Sequence, residues 1–157
     1  MKAMVTLREM TDAEFPAYRS LFIAEYARDL QDSRGYSAQK ATDIATHAIE
    51  VSLTEGPNTA ANSLWCILPG DDESTVMGYF WLVRNRDACW VSDFCLLPAW
   101  RGRGFGRASL AQMEARLVEQ QVSEIGLRVA VNNPGAKALY EKSGFQITGF
   151  NMIKTIS

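Results

Sequence analysis

The 157-residue chain has one histidine, His47, and three cysteines, Cys66, Cys89 and Cys95, none in C-x-x-C spacing. Ligands this few and this scattered suggest no metal site of a common type, and an odd cysteine count suggests no disulfide framework. No apolar run approaches the roughly 18 residues of a membrane span. The opening stretch, Met1 to Glu9, lacks a signal peptide's long apolar region, so a cytoplasmic protein without a membrane partner is expected. An excess of basic charge is also missing. Sixteen Lys and Arg face eighteen Asp and Glu, giving a formal charge of −2 and a pI near 5.4, which argues against nucleic-acid binding by bulk charge. There is no linker, repeat or low-complexity segment. The length suits one domain, 1–157, that buries about two thirds of its unfolded surface.

Hydrophobic periodicity supplies the elements. Val5 to Arg8 reads as a first strand. Thr11-Asp12-Ala13-Glu14 fits a capping box, and Phe15, Tyr18, Phe22 and Tyr26 then fall on one aromatic helix face, which reads as core. Ser37 caps a second helix to about Thr54, with Ala41, Ile44, Ala48 and Val51 as its buried side and His47 at the surface. Strands follow at Leu64 to Leu68, Val76 to Val83 and Ala88 to Leu97. They are separated by the polar turns Pro69–Thr75 and Arg84–Asp87, which predicts an antiparallel meander. A third helix, Ala108 to Gln121, buries Leu110, Met113 and Leu117. Glu124 to Val131 is the next strand, and Asn133-Pro134 reads as N-cap and first position of a fourth helix ended by Gly144. Phe145 to Thr148 and Phe150 to Ile156 read as two closing strands.

The stretch Arg101-Gly102-Arg103-Gly104-Phe105-Gly106-Arg107-Ala108 joins the third meander strand to the third helix. Alternate glycines free the backbone for φ > 0, and a helix N-terminus with unpaired N–H groups favours an anion. This reads as a phosphate cradle, with a tight connection carrying solvated arginines as the plainer alternative. The P-loop pattern is absent. The dinucleotide fingerprint fails because Arg107 stands where its third glycine belongs and the preceding strands form hairpins. RNA binding through the Arg-Gly cluster is disfavoured by the acidic pI and by the lack of strands alternating basic and aromatic residues.

The remaining pattern, R/Q-x-x-G-x-G/A, is met by Arg101, Gly104 and Gly106, and here the chain resembles the GCN5-related N-acetyltransferase superfamily. The run Asp93–Gly106 is similar to that family's strand, proline, aromatic, loop and helix order. Asn133-x-x-Ala136-x-x-Leu139-Tyr140-Glu141-Lys142-x-Gly144-Phe145 matches its second common motif, and Thr148–Lys154 resembles a bacterial branch whose members mostly lack an assigned acceptor. The resemblance implies an α/β (α+β mixed-sheet) fold: a mostly antiparallel sheet of about seven strands with four helices, splayed between the fourth and fifth strands. It also implies acetyl-CoA as cosubstrate and a small-molecule or peptide amine as acceptor. The pyrophosphate would lie on amides within Gly102–Arg107, beside Arg101 and Arg103. Phe94, Cys95 and Leu96 would border the pantetheine, with Asn133 and Ala136 on its other side. Tyr140 would lie near the thioester sulfur. The family often forms dimers through edge or C-terminal strands, so a homodimer is an implied partner.

Acetyl transfer to an amine requires that the amine lose a proton, that an oxyanion be stabilised and that a thiolate leave. Asp93, three residues before Leu96, is the candidate base. The Leu96 N–H is the candidate oxyanion donor, and the Tyr140 phenol is the candidate acid. An unperturbed carboxylate is a poor base, so Asp93 requires burial or a relaying water. Each has a plainer reading: an acceptor-orienting charge for Asp93, an N-cap for Asn133, a packed aromatic for Tyr140. Cys95 has no accompanying base and is not read as a nucleophile. The acceptor should enter by the first two helices, where Glu25, Asp29, Asp32 and Asp43 would favour a cation. The competing class is a non-catalytic acetyl-CoA sensor or partner module.

Overall fold

A computed structural model describes residues 4–70 and 72–156. Val5–Glu9 (β1) is followed by two helices, Phe15–Arg34 (α1) and Ala38–Ser52 (α2). The meander Asn62–Pro69 (β2), Gly78–Asn85 (β3) and Ala88–Leu96 (β4) comes next. Phe105–Glu119 (α3), Glu124–Leu127 (β5) and Pro134–Lys142 (α4) complete the set. Short 3₁₀ turns at Gly56–Asn58 and Pro98–Trp100 were not expected from the sequence. The sheet order is β1-β2-β3-β4-β5, antiparallel through β4 and parallel between β4 and β5. Of the expected turn Pro69–Thr75, Asp71 lies outside the described residues. No helix among the described residues is long and apolar enough to cross a membrane.

Period-2 alternation along β2 and β3 builds one core on each side of the sheet. Trp65, Ile67, Phe80 and Leu82 pack with Leu110, Met113 and Leu117 of α3. Leu64, Cys66, Leu68, Tyr79 and Trp81 pack with Tyr18 of α1 and Ile49 of α2. The sheet is therefore sandwiched between helix pairs, and both cores run along β4 to its C-terminal end.

The start of α1 departs in detail from a capping box. The Glu14 carboxylate does accept the Thr11 N–H at 2.9 Å, but the helix begins at Phe15, one turn later. The same carboxylate takes two bonds of 2.9 Å from Arg8, which hold Glu14 down to about 2 and tie β1 to α1.

Three expectations are corrected. The sheet is mixed, as expected, but has five strands among the described residues where about seven were predicted. Residues 145–156 form no strand, because a strand exists only where it pairs, and among the described residues this segment pairs with neither edge of the sheet, β1 or β5. The fifth strand ends at Leu127 rather than Val131, which faces solvent at 93% exposure. The buried stripe of α2 is Ala41, Ala45 and Ile49, while Val51 is exposed. The helix docks along α1 through small residues, so its contact face is rotated from the one that side-chain size suggested.

Candidate active site

The pairing of β3 with β4 runs Arg84↔Cys89, Val83↔Trp90, Leu82↔Val91 and then steps to Trp81↔Asp93, so Ser92 is a bulge. Cys89 and Val91 point into the α3-side core, and strict alternation would send Asp93 and Cys95 the same way. The extra residue reverses the sense. Phe94 and Leu96 now face α3, with Phe94 stacked on Phe80 at 4.6 Å, while Cys95 joins the α1-side cluster. Asp93 thereby turns toward α1, where the Tyr18 hydroxyl, 75 residues away in sequence, donates to its Oδ2 at 2.7 Å.

Asp93 keeps some solvent-accessible surface, but its carboxyl is surrounded by protein. Burial pushes that carboxyl up to about 6; the Tyr18 hydrogen bond opposes the rise, the nearby Glu25 charge adds to it, and the Phe94 N–H opposes it. The Tyr18 phenol is raised well above its ordinary value by burial and by the charge of Asp93, so it remains a donor. Burial and Asp93 also raise the Cys95 thiol, which stays protonated; that removes the thiolate a covalent mechanism would need.

β5 pairs with β4 only from Ala88↔Glu124 to Val91↔Leu127. Beyond that point β4 continues to Leu96 with no partner on the β5 side. The Leu97 N–H bonds Met77 O at 2.8 Å on the β3 side. Because an antiparallel ladder alternates, the Leu96 N–H and C=O point the other way, into the opening. The Leu96 carbonyl accepts from Arg101 Nε at 2.8 Å, and no strand pairs with its N–H there.

Tyr140, on α4, packs its ring edge-on against Phe145 at 5.8 Å and lies beside the α3-side core. Burial pushes its phenol up to about 12, with further contributions from Asp93 and Cys95. Asn133 Oδ1 accepts the Ala136 N–H at 3.1 Å, so the N-cap reading describes that oxygen and leaves the side-chain amide free to donate.

The glycine loop has backbone geometry suited to an anion. Gly102 and Gly104 have φ of 70° and 85°, which an L side chain would strain. α3 has 15 residues, a glycine N-cap with no side-chain cap, and no acidic residue in its first turn. Its first bond is Ala108 N–H to Gly104 O, so the N–H groups of Phe105, Gly106 and Arg107 have no acceptor among the described residues. A diphosphate suits this donor set. Gly106 plays a different part: a Cβ there would lie 3.0 Å from Leu139 Cδ2, so its missing side chain lets α4 approach α3. The arginines also divide. Arg101 is engaged with Leu96 O and, at 3.3 Å, with Glu25, so it braces β4 against α1. Arg103 lies over Trp100 and Phe105 and donates to Ala99 O, which stiffens the loop. Arg107 is exposed at the helix start.

Of the acceptor-side acids, Glu25 is near Asp93, and Asp29 lines a shallow concavity with Tyr26, Ser33, Arg34 and Arg128. Asp43 accepts from Gln39 on the outer side of α2, and Asp32 is exposed at the end of α1. Sequence reasoning placed Tyr18 in the core without noticing its hydroxyl's partner. The available signal was a tyrosine, rather than phenylalanine, on a face otherwise fit for burial, since a buried O–H needs an acceptor.

The acetyltransferase (GNAT) family model matches residues 32–145. The chain is 26% identical over 155 residues to the uncharacterized N-acetyltransferase YdgE of Bacillus subtilis, covering 96% of this chain and 98% of that one. A crystal structure of B. subtilis YycN superposes with a TM-score of 0.89 at 23% identity, covering 98% and 99% of the two chains. The spermidine N-acetyltransferase of Vibrio cholerae in complex with CoA and spermine shares the fold, with a TM-score of 0.67 at 19% identity over 93% and 83%. With the glycine cradle at the start of α3 and the sheet opening beside it, the match over most of the chain settles the family: this protein belongs to the GNAT acetyltransferases.

Proposed function

We propose that the chain acetylates a primary amine of a small molecule or peptide by direct attack in a ternary complex, with Asp93 as base, the Leu96 N–H as oxyanion donor and Tyr140 as acid. Acetyl transfer from acetyl-CoA to an amine is the reaction of its family. The observation that supports the residue assignments is that Asp93 and the unpaired Leu96 amide share the stretch of β4 that β5 leaves open, with the Asp93 charge acting on the Tyr140 phenol. In this reading residues 1–157 make one N-acetyltransferase domain, in the cytoplasmic setting where acetyl-CoA is available.

Acetyl-CoA supplies an acyl group on a thiolate leaving group. The N–H groups of Phe105, Gly106 and Arg107 would hold its diphosphate, aided by Arg107, and Phe94 to Leu96 with Asn133 and Ala136 would flank its arm. Asp93, pushed up to about 6, is a far better proton acceptor than an ordinary carboxylate and is still mostly ionised at neutral pH. Its charge, with that of Glu25, draws a cationic amine to the α1 side of the opening.

The test is thiol release from acetyl-CoA across an amine panel spanning a polyamine, an amino acid, an aminoglycoside and a peptide N-terminus. The expected result is turnover with at least one of them. For that acceptor, kcat/KM should fall as pH drops through about 6, where Asp93 takes its proton, and Asp93→Asn should abolish that limb along with most of the rate. Cofactor binding without turnover of any amine would instead favour a sensor.

We also infer a homodimer built on residues 145–156. This segment makes no backbone hydrogen bond beyond the Phe145 N–H to Tyr140 O, among the described residues, and it exposes Phe150, Met152, Ile153 and Ile156 by 63–91%. A second copy would supply both a paired edge and an apolar cover. Light scattering should give twice the chain mass, and replacing Phe150 and Ile153 by serine should halve it. A monomeric parent protein at tens of micromolar would overturn the inference.

A further inference from the structure

We propose that Tyr18 is a positioning residue for the acetyl transfer: its phenol anchors one oxygen of the Asp93 carboxylate and leaves the carboxylate oriented toward the opening where the amine arrives. The proposal rests on the reading of Asp93 as the base and extends it to a residue on a different element.

Three observations combine. Tyr18 has no solvent exposure, and its ring is held on two sides, by Tyr79 at 4.9 Å and by Phe22 at 6.3 Å between centroids. A phenol so confined cannot turn to water, so its hydroxyl has a fixed direction. That direction is set on Asp93 Oδ2 at 2.7 Å, the length of a charge-assisted O–H···O⁻ bond, and no other side chain among the described residues bonds this carboxylate. Finally, the Ser92 bulge is what turns Asp93 to the α1 face at all. Core packing alone needs only a phenylalanine at position 18 and needs no carboxylate opposite it. A hydroxyl–carboxylate pair in a core carries a desolvation cost that apolar residues avoid, so its use here is to hold a charge in place.

The groups around Asp93 define the electrostatics. Tyr18 and Glu25 face it from α1, Cys95 from β4 and Tyr140 from α4, while Tyr79 of β3 packs on the Tyr18 ring and Arg101 lies beyond Glu25. Among these side chains, Tyr18 donates to the carboxylate directly. Without that donor the ionised form of Asp93 loses its main side-chain support while burial and the Glu25 charge still act against it. The carboxylate then titrates closer to neutrality, and a larger share of the enzyme is protonated and unable to accept a proton at working pH.

The experiment is Tyr18→Phe, read two ways. In the free protein, the Asp93 carboxyl carbon is titrated by NMR; with the acceptor, the acidic limb of kcat/KM is measured. Loss of a hydrogen bond to a charged group should move both midpoints upward by about one to two pH units. The rate should recover to within a few-fold above the new midpoint. Incorporating 3-fluorotyrosine at position 18 keeps the ring, makes the phenol a stronger donor and should move both midpoints the other way. That arm does not depend on the Phe variant folding. Ile49→Ala serves as the packing control, because it loosens the same cluster from α2 while leaving in place the two rings that hold Tyr18, and it should lower the melting temperature with no shift of either midpoint. An Asp93 titration that stays put in both Tyr18 variants overturns the proposal. If the titration moves and the kinetic limb does not, Asp93 is not the base, and the catalytic role of Tyr18 falls with it while the hydrogen bond stands.

Discussion

Tyr140→Phe is expected to lower kcat by about 10²-fold or more while leaving acetyl-CoA affinity unchanged. The substitution removes one oxygen and keeps the ring that packs against Phe145, so α4 and the cofactor cleft should retain their shape. The size of the effect follows from the phenol's surroundings. Pushed up to about 12, Tyr140 is a donor at every working pH, yet a weak acid for a thiolate that by analogy with cysteine accepts a proton near 8.5. Part of that rise comes from the negative charge of Asp93. In the proposed mechanism Asp93 would lose its charge on accepting the amine's proton, and Tyr140 would become more acidic at the moment the thiolate needs a proton. Base and acid are thus coupled through the opening, and Tyr140→Phe should lose more rate with poor leaving groups than with activated thioesters. Calorimetry for CoA affinity and pre-steady-state thiol release separate binding from chemistry. An unchanged kcat would remove Tyr140 from the mechanism, and unchanged affinity without any parent turnover would point to a sensor.

Much of this architecture was legible in the chain. The Asn133-Pro134 cap, the glycine loop, the meander and the apolar stripe of α3 are all local signals, set by residues within one turn or one hairpin of each other. The features that build the site are not local. A bulge shifts register by one residue, and nothing in the run Val91-Ser92-Asp93 marks which of the three is extra, because that depends on how β3 lies beside it. The Tyr18–Asp93 bond joins residues 75 positions apart, so each could be read singly and the pair could not. The closing strands failed for the opposite reason. Phe150, Ile153 and Ile156 suit a strand well, but a strand must pair, and among the described residues the segment lies on neither sheet edge, β1 or β5. Arg101 shows a third kind of gap: its position in the motif was recognisable, whereas its bonds to Leu96 O and Glu25 depend on where α1 crosses the loop.

Gly78→Ala should damage stability and catalysis together, which no motif foretold. Gly78 stands opposite Leu96 in the β3–β4 ladder, and a Cβ there would run into the Cys95 carbonyl oxygen and approach Leu96 Cδ2 to 2.9 Å and Cα to 3.1 Å. Two of these are backbone atoms, so no rotamer change relieves the contact and β4 itself must move. Overpacking of this kind costs about 1–3 kcal/mol or more, and in a chain this long each kcal/mol lowers Tm by about 2–4 °C. The displaced segment is the one whose Leu96 amide faces the opening and whose carbonyl Arg101 holds, so an oxyanion donor there would be misaimed even in molecules that remain folded. Alongside the lower Tm, kcat per folded molecule, taken well below the variant's Tm, should fall by at least about tenfold. Gly149→Ala, where a new Cβ meets nothing within 4 Å, is the matched control and should change neither quantity. A Gly78→Ala protein that melts and turns over like its parent would show that β4 yields freely at Cys95–Leu96, and the Leu96 amide could not then be the preorganised donor this mechanism requires.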